Sequence, residues 1–426
     1  MQKGRHSAPY APQSWKPPGG TGAAPGRYRR STRRGPAQPP GRGPAQHPGA
    51  GTGAAPGWAS YHWGVAADIT AQGSGLRTGL ANLLMAVWRP TPRSLRVLAL
   101  AGVVASAGII VTGAGVRLSQ SGLGCPDWPR CTASSLFASR TQGQTLVNTW
   151  IEFGNRLVTF VVMVVAVLVF VAAWRFRERG DAGRGQRGDA GRGQRRTDLV
   201  WLAAAQPLGV VLQAVLGGIT VLTSLNPAMV SVHFLASIAI VGAAVVLYVR
   251  STETQAKARP LVRTDLRVLS GILVLATGAM LAAGTIVTGT GPLAGNASAP
   301  RYHLPLQGVT QVHADTGWLL GGIALALVLG LRFSGAPPRA VRLGWLLIAL
   351  IGVQGVIGYV QYFLRLPAGL VGVHVTGSVL VWIAALQVFF ALRDRGTINA
   401  AYNAAGPAPA ASAAQTPADA AAPAAD

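Results

Sequence analysis

Eight blocks of this sequence are apolar over the length needed to cross a hydrocarbon layer as a helix, about 20 residues. They lie at roughly 95–116, 148–173, 199–222, 228–250, 266–289, 309–332, 342–363 and 369–392. Such a chain has few ways to fold, because every backbone N–H and C=O inside hydrocarbon must be hydrogen-bonded internally. The expected fold is an all-α integral membrane protein with eight transmembrane helices. Only 12% of the residues are charged, against about a quarter in a soluble domain.

The net charge is nevertheless +24, so the charges must lie between the apolar blocks. Of the 37 Lys and Arg, 31 fall in the N-terminal tail, the 2–3, 4–5 and 6–7 linkers with their flanks, and the C-terminal flank. Positive charge marks the cytoplasmic side. The expected protein is therefore a multi-pass protein of the cell membrane with both termini cytoplasmic, in contact with lipid and not with nucleic acid. No secretory signal is expected, so the first helix serves for insertion. Residues 1–92 form a basic tail and 395–426 an Ala/Pro tail, both too poor in apolar residues to offset chain entropy, and both are expected to be disordered. The 2–3 linker repeats RGDAGRGQ at 179–186 and 187–194. The repeat is either a basic surface contact or a duplication in a tolerant loop.

A larger repeat organises the spans. Gln213 and His233 recur as Gln354 and His374, each 141 residues on, without a gap across two helices and a loop. Ile110-Val-Thr-Gly113 recurs as Ile286-Val-Thr-Gly289. Helices 1–4 thus resemble helices 5–8, and because four is even the repeat is parallel. Two four-helix bundles are expected, at 93–250 and 266–394, joined by a linker at 251–265.

Ionisable groups within spans are costly and usually functional. Helix 2 carries Glu152, Asn155 and Arg156, helix 4 His233, helix 6 His313 and Asp315, and helix 8 His374. Each lies a few residues into a helix running inward, which puts them at one depth near the outer face. One such histidine could be a packing hydrogen bond; three at matched depth on facing helices point to haem iron, for which neutral imidazole is a common ligand. Glu152 and Arg156 stand i,i+4 and can pair. The functional alternative aims the carboxylate at a substrate and the guanidinium at a haem propionate. His303 in the outer 5–6 loop is expected to be solvated or a lid residue.

Cys125 and Cys131 stand in GLGCPDWPRC, in the outer 1–2 loop. The compartment permits a disulfide. Two cysteines without a nearby histidine do not suit zinc. A loop staple and a thiol-exchange role both remain open.

Taken together, these stretches resemble the haem A synthase family of bacteria and mitochondria. The resemblance is carried by VTGAGVRLSQSGLGCPDWPRC, WIEFGNR, QAVLGGITVLTSLNPAMVSVHF, VTGTGPLAGN, VHADTG, QGVIGYVQYF and GVHVTGS, across residues 95–392. It implies two pseudo-symmetric four-helix bundles. The C-terminal bundle would hold a haem b cofactor on His313 and His374. The N-terminal bundle would take the haem O substrate on His233, with Asn155 and Arg156 beside it and Glu152 as the catalytic residue. Cys125 and Cys131 would form a disulfide. The implied reaction oxidises the C8 methyl of haem O to a formyl group, through successive hydroxylations. The implied partners are haem O synthase (the protohaem farnesyltransferase) and cytochrome oxidase assembly factors, and a homo-oligomer is compatible with the sequence.

One departure concerns the ligands. The family pattern on helix 2 is Glu-x-x-His-Arg, whereas this chain has Asn155 in the histidine's place, and helix 6 has Ala314 where Arg is common. The expectation is that His233 alone ligates the substrate haem firmly. Two other functional classes fit an eight-helix chain: a di-haem electron-transfer cytochrome and a transporter. An electron carrier has no need of Glu152. A transporter calls for helices broken at mid-membrane, and Pro227 and Pro367 lie at helix or loop ends.

Overall fold

The computed structural model describes residues 90–139, 145–178 and 194–398, and all that follows concerns those residues. The tandem octapeptide, Arg140 and most of both tails lie outside them. Eight helices occupy the eight apolar blocks: α1 Pro92–Leu118, α2 Leu146–Arg175, α3 Thr197–Leu222, α4 Pro227–Arg250, α5 Thr264–Thr290, α6 Leu306–Phe333, α7 Pro338–Phe363 and α8 Ala368–Ala391. All are long and apolar enough to cross a membrane. Several start earlier than hydropathy predicts, because a polar cap extends the first turn. Thr91 accepts from Ser94 N ahead of Pro92, Thr145 from Asn148 N and Asn226 from Ala228 N ahead of Pro227. Each cap satisfies an amide left open at the helix start.

Helices α1–α4 pack as a ring of neighbours, and so do α5–α8. The seam between the rings is made by α1 with α8, α4 with α5, and α4 with α8. Exchanging the halves turns the first contact into the second and leaves the third unchanged, as a twofold relation requires. Val103, Ile110, Val241, Val245, Leu281, Val379 and Leu386 fill the seam. Across it, Trp382 Nε1 donates to Ile238 O at 3.1 Å. Large apolar side chains face outward instead of forming one central core; Phe333 is 84% and Leu275 75% exposed. That arrangement is stable only against lipid.

Two ends can be distinguished. The site end carries the α1–α2, α3–α4, α5–α6 and α7–α8 connections. At the opposite end, Asp198 bridges Arg196 (2.9 Å) and Arg250 (2.6 Å), and Glu253 pairs with Arg250 at 2.8 Å. There the two-residue strands β3 (Arg259–Pro260) and β4 (Arg393–Asp394) pair, and Ile398 N donates to Thr252 O. The chain after α8 therefore runs back along the linker of the expected bundle boundary; β1 (Arg177–Glu178) and β2 (Gln194–Arg195) pair between α2 and α3.

The repeat reaches into backbone conformation. Ser224 and Leu225 close the α3–α4 turn with φ of 54° and 62°, and Arg365 and Leu366, 141 residues on, close α7–α8 with φ of 60° and 60°. Leu225 N donates to Thr220 O and Leu366 N to Gln361 O, again in register. Left-handed geometry costs a residue with a Cβ about 1–2 kcal/mol. Ser224 is exposed, so Ser224→Gly is expected to raise the thermal midpoint in detergent, by about 1 kcal/mol of stability. Ser224→Val is expected to lower it.

Candidate functional site

The polar residues singled out by the sequence all lie about two turns into their helices, at the site end: Glu152, Asn155 and Arg156 on α2, His233 on α4, His313 on α6 and His374 on α8. They line one continuous cavity of about 2050 Å³ that runs through both halves. A pocket for one small ligand rarely exceeds about 1,000 Å³, so this cavity has room for more than one large ligand.

Each imidazole lies over a glycine of the preceding helix. A Cβ on Gly217 would come within 3.3 Å of His233 Cε1, on Gly284 within 3.2 Å of His313 Cε1, and on Gly358 within 3.6 Å of His374 Cε1. In the C-terminal half the rings of His313 and His374 face each other with centroids 6.4 Å apart and planes inclined at 75°. Two metal–nitrogen bonds of about 2 Å and two ring radii of about 1 Å span about 6 Å, so this pair can hold one iron between them. Both Nδ1 atoms are buried without a hydrogen-bond partner. Among the described residues no group of three or more His, Cys, Asp or Glu could hold a bare ion. A facing histidine pair suits a metal that brings its own equatorial ligands.

The N-terminal half differs at the fourth position. Asn155 Oδ1 accepts from Thr112 Oγ1 at 2.7 Å, which ties the amide to α1. Gly108, the repeat counterpart of Gly284, would meet nothing within 4 Å if it carried a Cβ. The glycine that makes room for His313 thus recurs in the half whose α2 carries Asn155.

Glu152 is 5% exposed and fully engaged. Its Oε1 accepts from Arg156 Nη2 at 2.6 Å and its Oε2 from Cys125 N at 2.8 Å. Arg156 also donates to Cys125 O at 2.8 Å and to Asp127 O and Arg130 O at 3.0 Å each. The ion pair anticipated from i,i+4 spacing thus clamps the loop that the Cys125–Cys131 disulfide closes. The loop lays Trp128 against Gly218, where a Cβ would come within 2.5 Å of the indole.

Arg156 directs its donors into the loop, and a second arginine, Arg117, lines the cavity unpaired. Arg117 is at the end of α1, donates to Thr288 O of α5 across the seam, and keeps a buried Nε without a partner. A buried guanidinium without a carboxylate calls for an anionic ligand. Sequence patterning does not single out Arg117. The signal available was its position directly after the repeated Val-Thr-Gly segment, where the other half has Leu293. His303 is exposed and outside the cavity lining. Asp315 accepts from Gln311 Nε2 at 2.8 Å on an exposed face of α6, away from the three histidines.

One protein-family model, described as cytochrome oxidase assembly protein (COX15-CtaA), matches residues 96–386, well over half of the chain. A search of curated proteins finds no match.

The clamp geometry has a direct consequence. A lysine at position 156 keeps the charge but has no fork to serve three carbonyls and a carboxylate together. Arg156→Lys is expected to free the loop at a cost on the order of 2 kcal/mol, read as faster proteolysis after Arg130 and a change in Trp128 fluorescence. A loop as protected as in the native protein would show that the disulfide alone holds it.

Proposed function

This chain belongs to the COX15-CtaA family of cytochrome oxidase assembly proteins, and we propose that it acts there as a haem A synthase, oxidising the C8 methyl of haem O to a formyl group. The observation that carries this reading is the facing pair His313 and His374 in a membrane cavity that continues to Glu152 and His233. A resident cofactor and a separate substrate position in one cavity are what such an oxidation needs.

The residues fit a resident haem b in the C-terminal half, where the imidazoles of His313 and His374 would hold it. When bound, haem b supplies one-electron redox chemistry. In the N-terminal half His233 would ligate the iron of haem O, and Asn155, tied to Thr112, would leave the opposite face to a weaker ligand. Arg117 would pair with a propionate through its open donor, while Arg156 holds the loop. Glu152 is the one carboxylate at the cavity wall, and its role is to accept a proton or stabilise positive charge as the methyl is oxidised. Arg156 Nη2 and Cys125 N, which donate to its two oxygens, hold the carboxyl in place at the cavity wall. Haem O synthase and oxidase assembly factors would be the partners, at the cell membrane with both termini cytoplasmic.

The test is pigment extraction from membranes of a host that makes haem O and no haem A. Expression of the chain is expected to convert haem O to haem A. Glu152→Gln is expected to accumulate haem O while keeping the low-spin haem spectrum, and His313→Ala or His374→Ala to lose that spectrum. A haem-loaded protein that leaves haem O unchanged would count for an electron-transfer cytochrome instead.

The replacement on α2 gives a second expectation. Asn155→His restores an imidazole where Gly108 leaves room for it. With haem O loaded, the variant is expected to show a new low-spin population absent from the native protein. Two bis-histidine haems already present in the native protein would overturn the assignment of His233 as the sole histidine ligand of the substrate haem.

A further inference from the structure

The two halves carry the same four residues in register. Gln213, Gly217, His233 and Ser237 in α3–α4 recur as Gln354, Gly358, His374 and Ser378 in α7–α8. They do not make the same contacts. In the N-terminal half one terminus of the Gln213 amide lies 2.9 Å from Ser237 N and the other 3.3 Å from His233 O; a backbone N–H only donates and a carbonyl only accepts, so the first terminus is Oε1 and the second is Nε2, which then donates to His233 Nδ1 at 2.8 Å and to Ser237 Oγ at 3.2 Å. In the C-terminal half His374 Nδ1 and Gln354 Oε1 are both buried without a partner.

One methyl group accounts for the difference. Gln354 leans over Gly377, so closely that a Cβ there would lie 1.9 Å from Gln354 Nε2. The residue in register with Gly377 is Ala236. Its methyl fills the space that Gln354 uses, and the Gln213 amide is deflected onto the imidazole.

The contact matters because a neutral imidazole carries one proton. When Nδ1 accepts a hydrogen bond, the proton is on Nε2, and Nε2 then has no lone pair for a metal. For His233 to bind iron, the Gln213 amide must turn over so that its oxygen accepts from Nδ1–H, which gives up the pairing with Ser237. His374 faces no such competitor.

We propose that Gln213 is a positioning residue that holds His233 in the non-ligating tautomer, and so makes it an exchangeable axial ligand for the substrate haem. This rests on the reading of His233 as a haem ligand. It gives the two halves, with matching residues, different tasks: a permanent ligand in one and a releasable ligand in the other.

The test uses the purified full chain with its resident haem, ferric protohaem as the added probe, and transfer to apomyoglobin to read the release rate. Two variants remove the restraint differently. Gln213→Leu deletes the amide, and Ala236→Gly lets the intact amide swing away as Gln354 does. Both are expected to release the added haem about tenfold more slowly, the order of change typical of outer-shell residues. The resident haem spectrum is expected to stay unchanged and reports that each variant is folded. Faster release from Gln213→Leu would mean that the amide oxygen supports ligation, and would overturn the proposal. So would release rates equal to the native rate in both variants. If the native protein takes up no second haem while keeping the first, the assignment of His233 as a ligand fails, and the proposal fails with it, by a result that differs from the other two.

Discussion

The contact of an imidazole with a bare glycine backbone sets the geometry on which the site depends. Gly217, Gly284 and Gly358 each face a histidine across a helix pair; a methyl at Gly217 or Gly284 would crowd the ring, and one at Gly358 would reach van der Waals contact with it. Small residues let membrane helices approach closely when no hydrophobic force between them exists to do so. Here the closeness is local, at the depth of the histidines. It brings His313 and His374 within 6.4 Å of each other while the cavity stays open around them.

The same framework makes the halves unequal. In the N-terminal half Gly218 leaves a space that Trp128 of the disulfide-closed loop fills. Its counterpart 141 residues on is Tyr359, whose hydroxyl accepts from Trp318 Nε1 at 3.1 Å. One half is covered by a loop residue and the other by a residue fixed on its own helix. The loop is held to α2 by hydrogen bonds to Glu152 and Arg156, whereas Tyr359 is an exposed residue of α7 itself. The inequality suits a substrate that arrives and departs beside a cofactor that stays. Asn155, Gln213 and the Trp128 loop all belong to the N-terminal half.

The site end also resolves a tension in membrane energetics. Glu152 is ionisable and deep, and a lone carboxylate at that depth would be expensive. Its pairing with Arg156 and with an amide of the loop makes the charge tolerable and ties the loop to α2 in the same contact. Structural and chemical roles for this carboxylate therefore reinforce each other. The group that would act on the substrate is also the group that keeps the site covered.

Much of this protein was determined by the sequence alone. The eight apolar blocks fixed the eight helices, because hydrocarbon leaves the backbone no other partner than itself. The 141-residue register fixed the kinship of the halves, down to the paired left-handed turns at Ser224–Leu225 and Arg365–Leu366. The depth of Glu152, His233, His313 and His374 followed from counting residues into each helix. Tertiary structure decided what those residues touch. The i,i+4 spacing allowed a Glu152–Arg156 pair, but only the folded loop shows that Arg156 serves Cys125, Asp127 and Arg130. Arg117 looked like a loop charge until α5 was packed beside it. Gln213 and Gln354 stand in register, each with a histidine 20 residues on, yet one reaches its histidine and the other lies over Gly377, where the first half has Ala236. Helix length and depth depend on transfer between water and lipid, which is a sum over local residues. Side-chain contacts depend on a few tenths of an ångström between helices far apart in the chain, and a linear sequence carries no such distance.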